Sequence, residues 1–145
     1  MDEIKTRRRG FLWVLCCLSF VANTGLIFIN ILLLLGGEAL HFIIKIPVID
    51  VIAQEEMHGN ALYFLLKIAI HSFCIYTLSL ILLLKRRGFF YYMGAQLLLL
   101  GIPFLFLSGL GFFYLMISVG VSSIFSFFFV MLFSLYIPVM TKQEE

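Results

Sequence analysis

Charged residues are scarce in this chain of 145 residues. They make up 12% of the sequence, against about 25% in a typical soluble domain. Apolar residues make up 63%, which is more than the interior of so small a domain can enclose. The composition therefore excludes an ordinary soluble domain and predicts a protein whose surroundings are largely lipid.

The motifs of several catalytic and metal-binding classes are also missing. The three cysteines, Cys16, Cys17 and Cys74, lie in apolar runs and have no CxxC spacing, which excludes a disulfide framework, a zinc site and a thiol oxidoreductase motif. The chain has no phosphate-binding glycine loop and no HExxH motif. We therefore expect no catalytic residue, no metal, no cofactor and no enzymatic activity.

Four long apolar runs are present, at residues 11–35, 61–84, 89–107 and 112–140. None of them contains Asp or Glu, and the shortest has 19 residues, about 29 Å as a helix against a hydrocarbon core of about 30 Å. Four-residue connections join the last three runs, so consecutive helices must reverse direction. The sequence predicts an all-α, polytopic membrane protein: one domain over residues 1–145, folded as an antiparallel bundle of four transmembrane helices.

The first connection, residues 36–60, contains an apolar segment of its own. Residues 40–53 are only 14 in number and contain Pro47, so they are too short to span a membrane. We expect a short interfacial segment in this outer loop, with a helix kinked at Pro47 favoured over a strand. A lid on the bundle and a docking surface for a partner both remain open.

The basic residues predict the orientation of the chain. Eight Lys and Arg residues fall on the side of the termini, and only Lys45 falls on the other. Because basic flanks stay in the cytoplasm, we expect a multi-pass protein of the plasma membrane, the inner membrane in a bacterium, with both termini cytoplasmic. The runs at residues 7–9 and 85–87 flank apolar segments directly, so the expected partner is the lipid bilayer and not a nucleic acid.

Polar residues inside the runs suggest a candidate site. Counting inward from the predicted turns places five of them in one outer-half layer: Asn30, Lys67, His71, Ser118 and Ser122. An ionisable residue within the membrane suggests a function, although Lys67 can extend its ammonium toward water. His71 can equally be a packing residue that bonds to Asn30, to a serine or to the Leu99 carbonyl that Pro103 leaves free.

The last run carries a second pattern. Ser118, Ser122 and Ser126 recur every four residues and therefore share one helix face. Small polar residues in this arrangement are typical of a helix-packing seam, which we favour over a solute pathway. Phenylalanines occupy the other faces of the same helix, where they suit lipid or a neighbouring subunit.

The opening of the chain, RRRGFLWVLCCLSF at residues 7–20, resembles the start of a family of small, uncharacterised four-helix proteins of the bacterial inner membrane. The shared features are a basic patch, then Phe-Leu, then Val-Leu-Cys and a small polar residue. The resemblance implies a bacterial four-helix membrane protein and implies no activity.

Two functions follow as hypotheses. The first is a non-catalytic accessory or assembly subunit of a larger membrane complex, with other membrane subunits or further copies of this chain as partners. The alternative is a small oligomeric transporter or channel in which Lys67 and His71 guide an anion or a polar solute.

Overall fold

The computed structural model describes residues 2–35, 60–107 and 112–141. Within these ranges the chain is all α-helical and contains no strand, as the sequence predicts. The predicted interfacial segment at residues 40–53 lies outside the described residues. The described ranges contain four long helices and a short one: α1 (Asp2–Leu34), α2 (Ala61–Leu82), α3 (Arg86–Phe106), α4 (Phe112–Ser134) and α5 (Ile137–Thr141).

Three stretches of the described helices are long and apolar enough to cross a membrane: Gly10–Leu34, Ala61–Leu82 and Arg86–Phe106. The shortest has 21 residues, about 32 Å as a helix, which matches the hydrocarbon core. In α4 the apolar stretch found among the described residues is Ser123–Ser134, which is shorter than a span. The helices thus have the length and composition of a membrane protein.

Two helix boundaries differ from the predicted runs by more than three residues. The first helix begins at Asp2, because the charged residues before the apolar run are themselves good helix formers. The last run is predicted as one helix to Met140, but α4 ends at Ser134 and α5 starts at Ile137. Pro138 has no N–H to donate to the Ser134 carbonyl, so the ladder of hydrogen bonds stops there.

The turn between α2 and α3 has a residue in an unusual backbone conformation. Leu84 has a φ of 57°, the left-handed region that glycine normally occupies at a helix end. The N–H groups of Leu84 and Lys85 donate to the carbonyls of Ile81 and Leu80, at N···O distances of 2.9 and 3.0 Å. Burial of the Leu84 side chain in the core offsets the backbone strain, so the turn is held in one conformation.

The start of α3 lies directly against the end of α2 at Gly88. A Cβ atom at this position would lie 2.7 Å from the Leu80 Cβ and 2.9 Å from the Ile81 backbone nitrogen. These distances are too short for any side chain, so the close approach of the two helices requires glycine here.

The helices pack in chain order: α2 lies against both α1 and α3, and α4 lies mainly against α3. One apolar cluster joins Leu12 and Leu15 of α1 to Ile81, Leu84 and other residues around the α2–α3 turn. A second, smaller cluster is formed by five buried residues: Leu33, Tyr63, Phe64, Ile102 and Leu107. Several buried polar side chains lie along the helices between these two regions.

Candidate functional site

Seven side chains from α1, α2, α3 and α4 are hydrogen-bonded to one another inside the protein. Each is at most 9% exposed. Burial in an apolar interior is costly for a polar atom unless it finds a partner, and these side chains supply one another. We call this set the buried polar network: Ser19, Asn23, His71, Cys74, Tyr92, Gln96 and Ser126.

One half of the network connects α1, α2 and α3. The Asn23 amide nitrogen donates to the Ser19 carbonyl at 2.8 Å, which turns the Asn23 oxygen toward α2. The Nδ1 atom of His71 lies 2.9 Å from that oxygen, and because an amide oxygen only accepts, Nδ1 carries the proton and donates it. The Ser19 hydroxyl in turn lies 2.9 Å from the Tyr92 hydroxyl of α3.

The other half connects α2, α3 and α4 through Gln96. The Ser126 hydroxyl donates to the Gln96 side-chain oxygen at 2.6 Å. The Gln96 amide nitrogen donates to the Cys74 sulfur at 3.6 Å. One amide thus uses its acceptor toward α4 and a donor toward α2, so Gln96 bridges three helices.

Helical spacing places the two halves next to each other. On α2, His71 and Cys74 are three residues apart, and on α3, Tyr92 and Gln96 are four apart, so each pair shares a helix face. Tyr92 also packs edge-to-face on Phe133 of α4, with ring centroids 5.3 Å apart. The two halves of the network therefore lie about one helical turn apart along α2 and α3.

The polar layer predicted from the sequence has a different set of contacts. His71 bonds to Asn23, the Lys67 ammonium donates to the Tyr63 hydroxyl at 3.1 Å, and the Asn30 amide donates to the Leu26 carbonyl of its own helix at 2.7 Å. Each of these three residues therefore has a separate partner. The side chains of the remaining two members, Ser118 and Ser122, lie outside the described part of the structure.

Lys67 is half-buried beside a fully buried tyrosine. Its ammonium nitrogen lies 4.8 Å from the centre of the Tyr63 ring as well as within hydrogen-bond distance of the hydroxyl. Tyr63 is four residues nearer the start of α2, the direction in which helical side chains lean. The charge is thus stabilised by a neighbour on its own helix.

The depth of each residue explains why His71 bonds to Asn23 and not to Asn30. His71 lies 10 residues after the start of α2, and Asn23 lies 11 residues before the end of α1. Asn30 lies only four residues before that end, about 10 Å away from Asn23 along the helix axis. The two-turn separation removes Asn30 from the reach of the imidazole.

Asn30 has an exposed fraction of only 2% and an incomplete set of hydrogen bonds. Among the described residues, no donor reaches its side-chain oxygen. An unpaired buried acceptor of this kind costs about 1 to 3 kcal/mol. Among the described residues, Asn30 is therefore the one buried polar side chain with an atom that lacks a hydrogen-bond partner.

Five of the seven members of the network were not predicted as site residues: Ser19, Asn23, Cys74, Tyr92 and Gln96. All five are buried in the structure. A usable signal was present, because Ser19 and Asn23 on α1, like Tyr92 and Gln96 on α3, are pairs four residues apart. Of the predicted serine seam, Ser126 is the member whose side chain is described, and it faces α3.

The network joins four helices through hydrogen bonds between side chains. Its side chains are hydroxyls, amides, a thiol and an imidazole, with no carboxylate or ammonium among them. Over the described residues, no three His, Cys, Asp or Glu side chains come together as a metal site. The network's hydrogen bonds between helices join α1 to α2 and α3, and join α3 to α2 and α4.

Comparison with models of known protein families finds no match, and neither do comparisons with curated proteins and with solved structures. The resemblance of residues 7–20 to small bacterial inner-membrane proteins therefore stays a prediction.

Proposed function

We propose that this chain is an integral membrane protein that serves as a non-catalytic accessory or assembly subunit of a larger membrane complex. The observation that carries the proposal is which partners the polar side chains of this chain bond to. Side chains that could bind a solute bond instead to one another within the protein. The surface that remains for contact with other molecules is apolar and rich in aromatic residues.

The proposal includes an antiparallel bundle of four membrane-spanning helices with both termini in the cytoplasm. The two apolar clusters support the antiparallel arrangement. One joins the early part of α1 to the late part of α2, and the other joins Leu33 near the end of α1 to Tyr63 near the start of α2. The eight-to-one distribution of basic residues supports the orientation, and the N-terminal resemblance supports a bacterial inner membrane.

The outer face of α4 supplies the surface for a partner subunit. Phe125, Phe127 and Phe128 have exposed fractions of 62%, 73% and 51%. Aromatic residues at the core of an interface contribute a large share of the binding energy between subunits. A neighbouring subunit or a second copy of the chain would bury these rings, while lipid would bury them in a monomer.

Photo-crosslinking in native membranes tests this role. A photoreactive phenylalanine analogue replaces Phe127 on α4 or, as a matched control, Phe28, which is 59% exposed on α1. We expect a discrete protein adduct from position 127, and recovery of the same protein by purification in mild detergent. Co-expression of two differently tagged copies identifies an adduct between like chains. Lipid adducts alone at both positions, together with a monomer in mild detergent, contradict the proposal.

One observation favours the alternative, a small oligomeric transporter or channel. The Asn30 side-chain oxygen, to which no described residue donates, lies on α1, and the half-buried Lys67 lies on α2. Both residues belong to the predicted outer-half layer. In proteoliposomes a transporter would move an anion or polar solute, and Lys67→Met would change that flux. Under the accessory-subunit proposal, the reconstituted protein moves no solute and Lys67→Met leaves partner recovery unchanged.

A further inference from the structure

Three consecutive cations lie at the turn between α2 and α3. Lys85, Arg86 and Arg87 are all exposed, and we call them the cationic turn. The Arg86 guanidinium carbon lies 5.4 Å from the centre of the Phe90 ring, so the cation is stacked on an aromatic side chain. Leu83, directly before the turn, is 64% exposed. Positive charge and accessible apolar surface therefore occur side by side.

The position of these cations is fixed by the backbone. Leu84 is anchored in the core with a φ of 57°, and Gly88 lies in contact with Leu80 and Ile81 of α2. The three cations lie between these two fixed points. Their backbone is thus held in place before any ligand arrives, which lowers the entropy lost on binding.

The backbone of a second basic run lies at the same end of the helices. Residues 7–9, all arginine, belong to α1 and directly precede its apolar stretch Gly10–Leu34. Leu12 of this stretch shares a core cluster with Leu84 of the turn, so the two basic runs are near each other. Trp13 and Tyr91, which are 61% and 48% exposed, are residue types that favour the level of the lipid headgroups.

We propose that the cationic turn binds the headgroups of anionic phospholipids. Arginine and lysine recognise phosphate by charge and hydrogen bonding, and basic clusters beside membrane helices concentrate anionic lipid. The exposed Leu83 and Phe90 would contact the acyl chains of the same lipid, a contact that a soluble polyanion such as RNA cannot make. The inference rests on the membrane insertion proposed above.

The protein contains one tryptophan, and Trp13 lies at the end where this binding would occur. The purified protein is reconstituted in phosphatidylcholine vesicles with a fixed minor fraction of a brominated lipid, which quenches nearby tryptophan fluorescence. The brominated lipid is either anionic phosphatidylglycerol or zwitterionic phosphatidylcholine. We expect stronger quenching by the anionic lipid, with a preference of about fivefold for each cation that takes part, decreasing as salt is added.

Two triple variants link the preference to the cationic turn. Lys85→Gln with Arg86→Gln and Arg87→Gln should lower the excess quenching by the anionic lipid, and the arginines at residues 7–9, which this variant keeps, account for what remains. Lys85→Arg with Arg86→Lys and Arg87→Lys keeps three cations and should retain it. Both leave Leu84 and Gly88 in place, so we expect wild-type thermal unfolding in a neutral detergent, which confirms that each variant is folded.

Equal quenching of the wild-type protein by both lipids would overturn the proposal, as would full retention of the preference by the glutamine variant. Loss of the excess quenching on addition of inorganic phosphate or an RNA oligonucleotide at constant ionic strength would assign the cations to a soluble anion instead. Absence of quenching by either lipid would contradict membrane insertion itself. The failure of this inference and the failure of the proposed function therefore give different results.

Discussion

Two asparagines of α1 allow a direct test of the buried polar network. Asn23 and Asn30 are seven residues apart on one face and are both buried, at 4% and 2% exposure. They differ in the partner of the side-chain oxygen. Asn23 accepts from His71 at 2.9 Å, whereas no described residue donates to Asn30. We expect Asn23→Leu to lower the stability of the protein and Asn30→Leu to leave it unchanged or raise it.

The hydrogen bonds that each substitution removes determine how far the two variants should differ in stability. Asn23→Leu removes a bond between two helices, which in membrane proteins averages about 0.6 and reaches about 1.7 kcal/mol, and leaves the buried His71 N–H unpaired. We expect a loss of about 1 to 3 kcal/mol. Asn30→Leu replaces an unpaired acceptor by an apolar side chain of similar volume, and we expect a gain of about 1 kcal/mol.

Thermal unfolding of the purified variants in detergent measures the difference. At about 4 °C per kcal/mol for a chain of this size, the Asn30→Leu variant should unfold at least about 8 °C above the Asn23→Leu variant. Circular dichroism and size-exclusion chromatography confirm that the two variants have the same helix content and oligomeric state before heating. Equal unfolding temperatures, or the reverse order, would refute the assignment of His71 to Asn23.

Two further predictions concern helix packing. Gly88→Ala should destabilise the bundle by about 1 to 3 kcal/mol, because the new methyl group meets α2. Gly94→Ala, which meets nothing within 4 Å among the described residues, should be neutral or stabilising by up to about 1 kcal/mol; similar unfolding temperatures would contradict the close approach. In a double-mutant cycle, Gln96→Leu and Ser126→Ala should couple by about 0.6 to 1.7 kcal/mol. Gln96→Leu paired with Ser123→Ala, whose hydroxyl bonds within its own helix, should show no coupling.

The helical class was predictable because long apolar runs leave few alternatives in lipid, where every backbone group needs a partner within its own segment. The start of α2 also follows from the local sequence. Asn60 precedes an apolar run and caps the helix, because its side-chain oxygen accepts a hydrogen bond from the Tyr63 N–H at 2.9 Å. Both features depend on local sequence alone.

The partners inside the bundle were less accessible to sequence reasoning. Which residue of α1 meets His71 depends on where two helices end relative to each other, and an error of two turns replaces Asn23 by Asn30. The burial of Tyr92 depends on the direction in which α3 faces, and this direction is known only once the neighbouring helices are placed. The left-handed Leu84 follows from tertiary packing that outweighs a local backbone preference.

We propose that the polar side chains inside the helices hold the protein together and do not line a route for solutes. Cys74 is a natural reporter, because it is fully buried and accepts a hydrogen bond from Gln96. A variant with Cys16→Ala and Cys17→Ala retains Cys74 as its only thiol, and a matched variant with added Lys85→Cys provides an exposed one. In proteoliposomes permeabilised so that the reagent reaches both sides, we expect a water-soluble thiol reagent to label position 85 rapidly and to label Cys74 only after denaturation. Rapid labelling of Cys74 in the folded protein would show water within the network and would contradict this proposal.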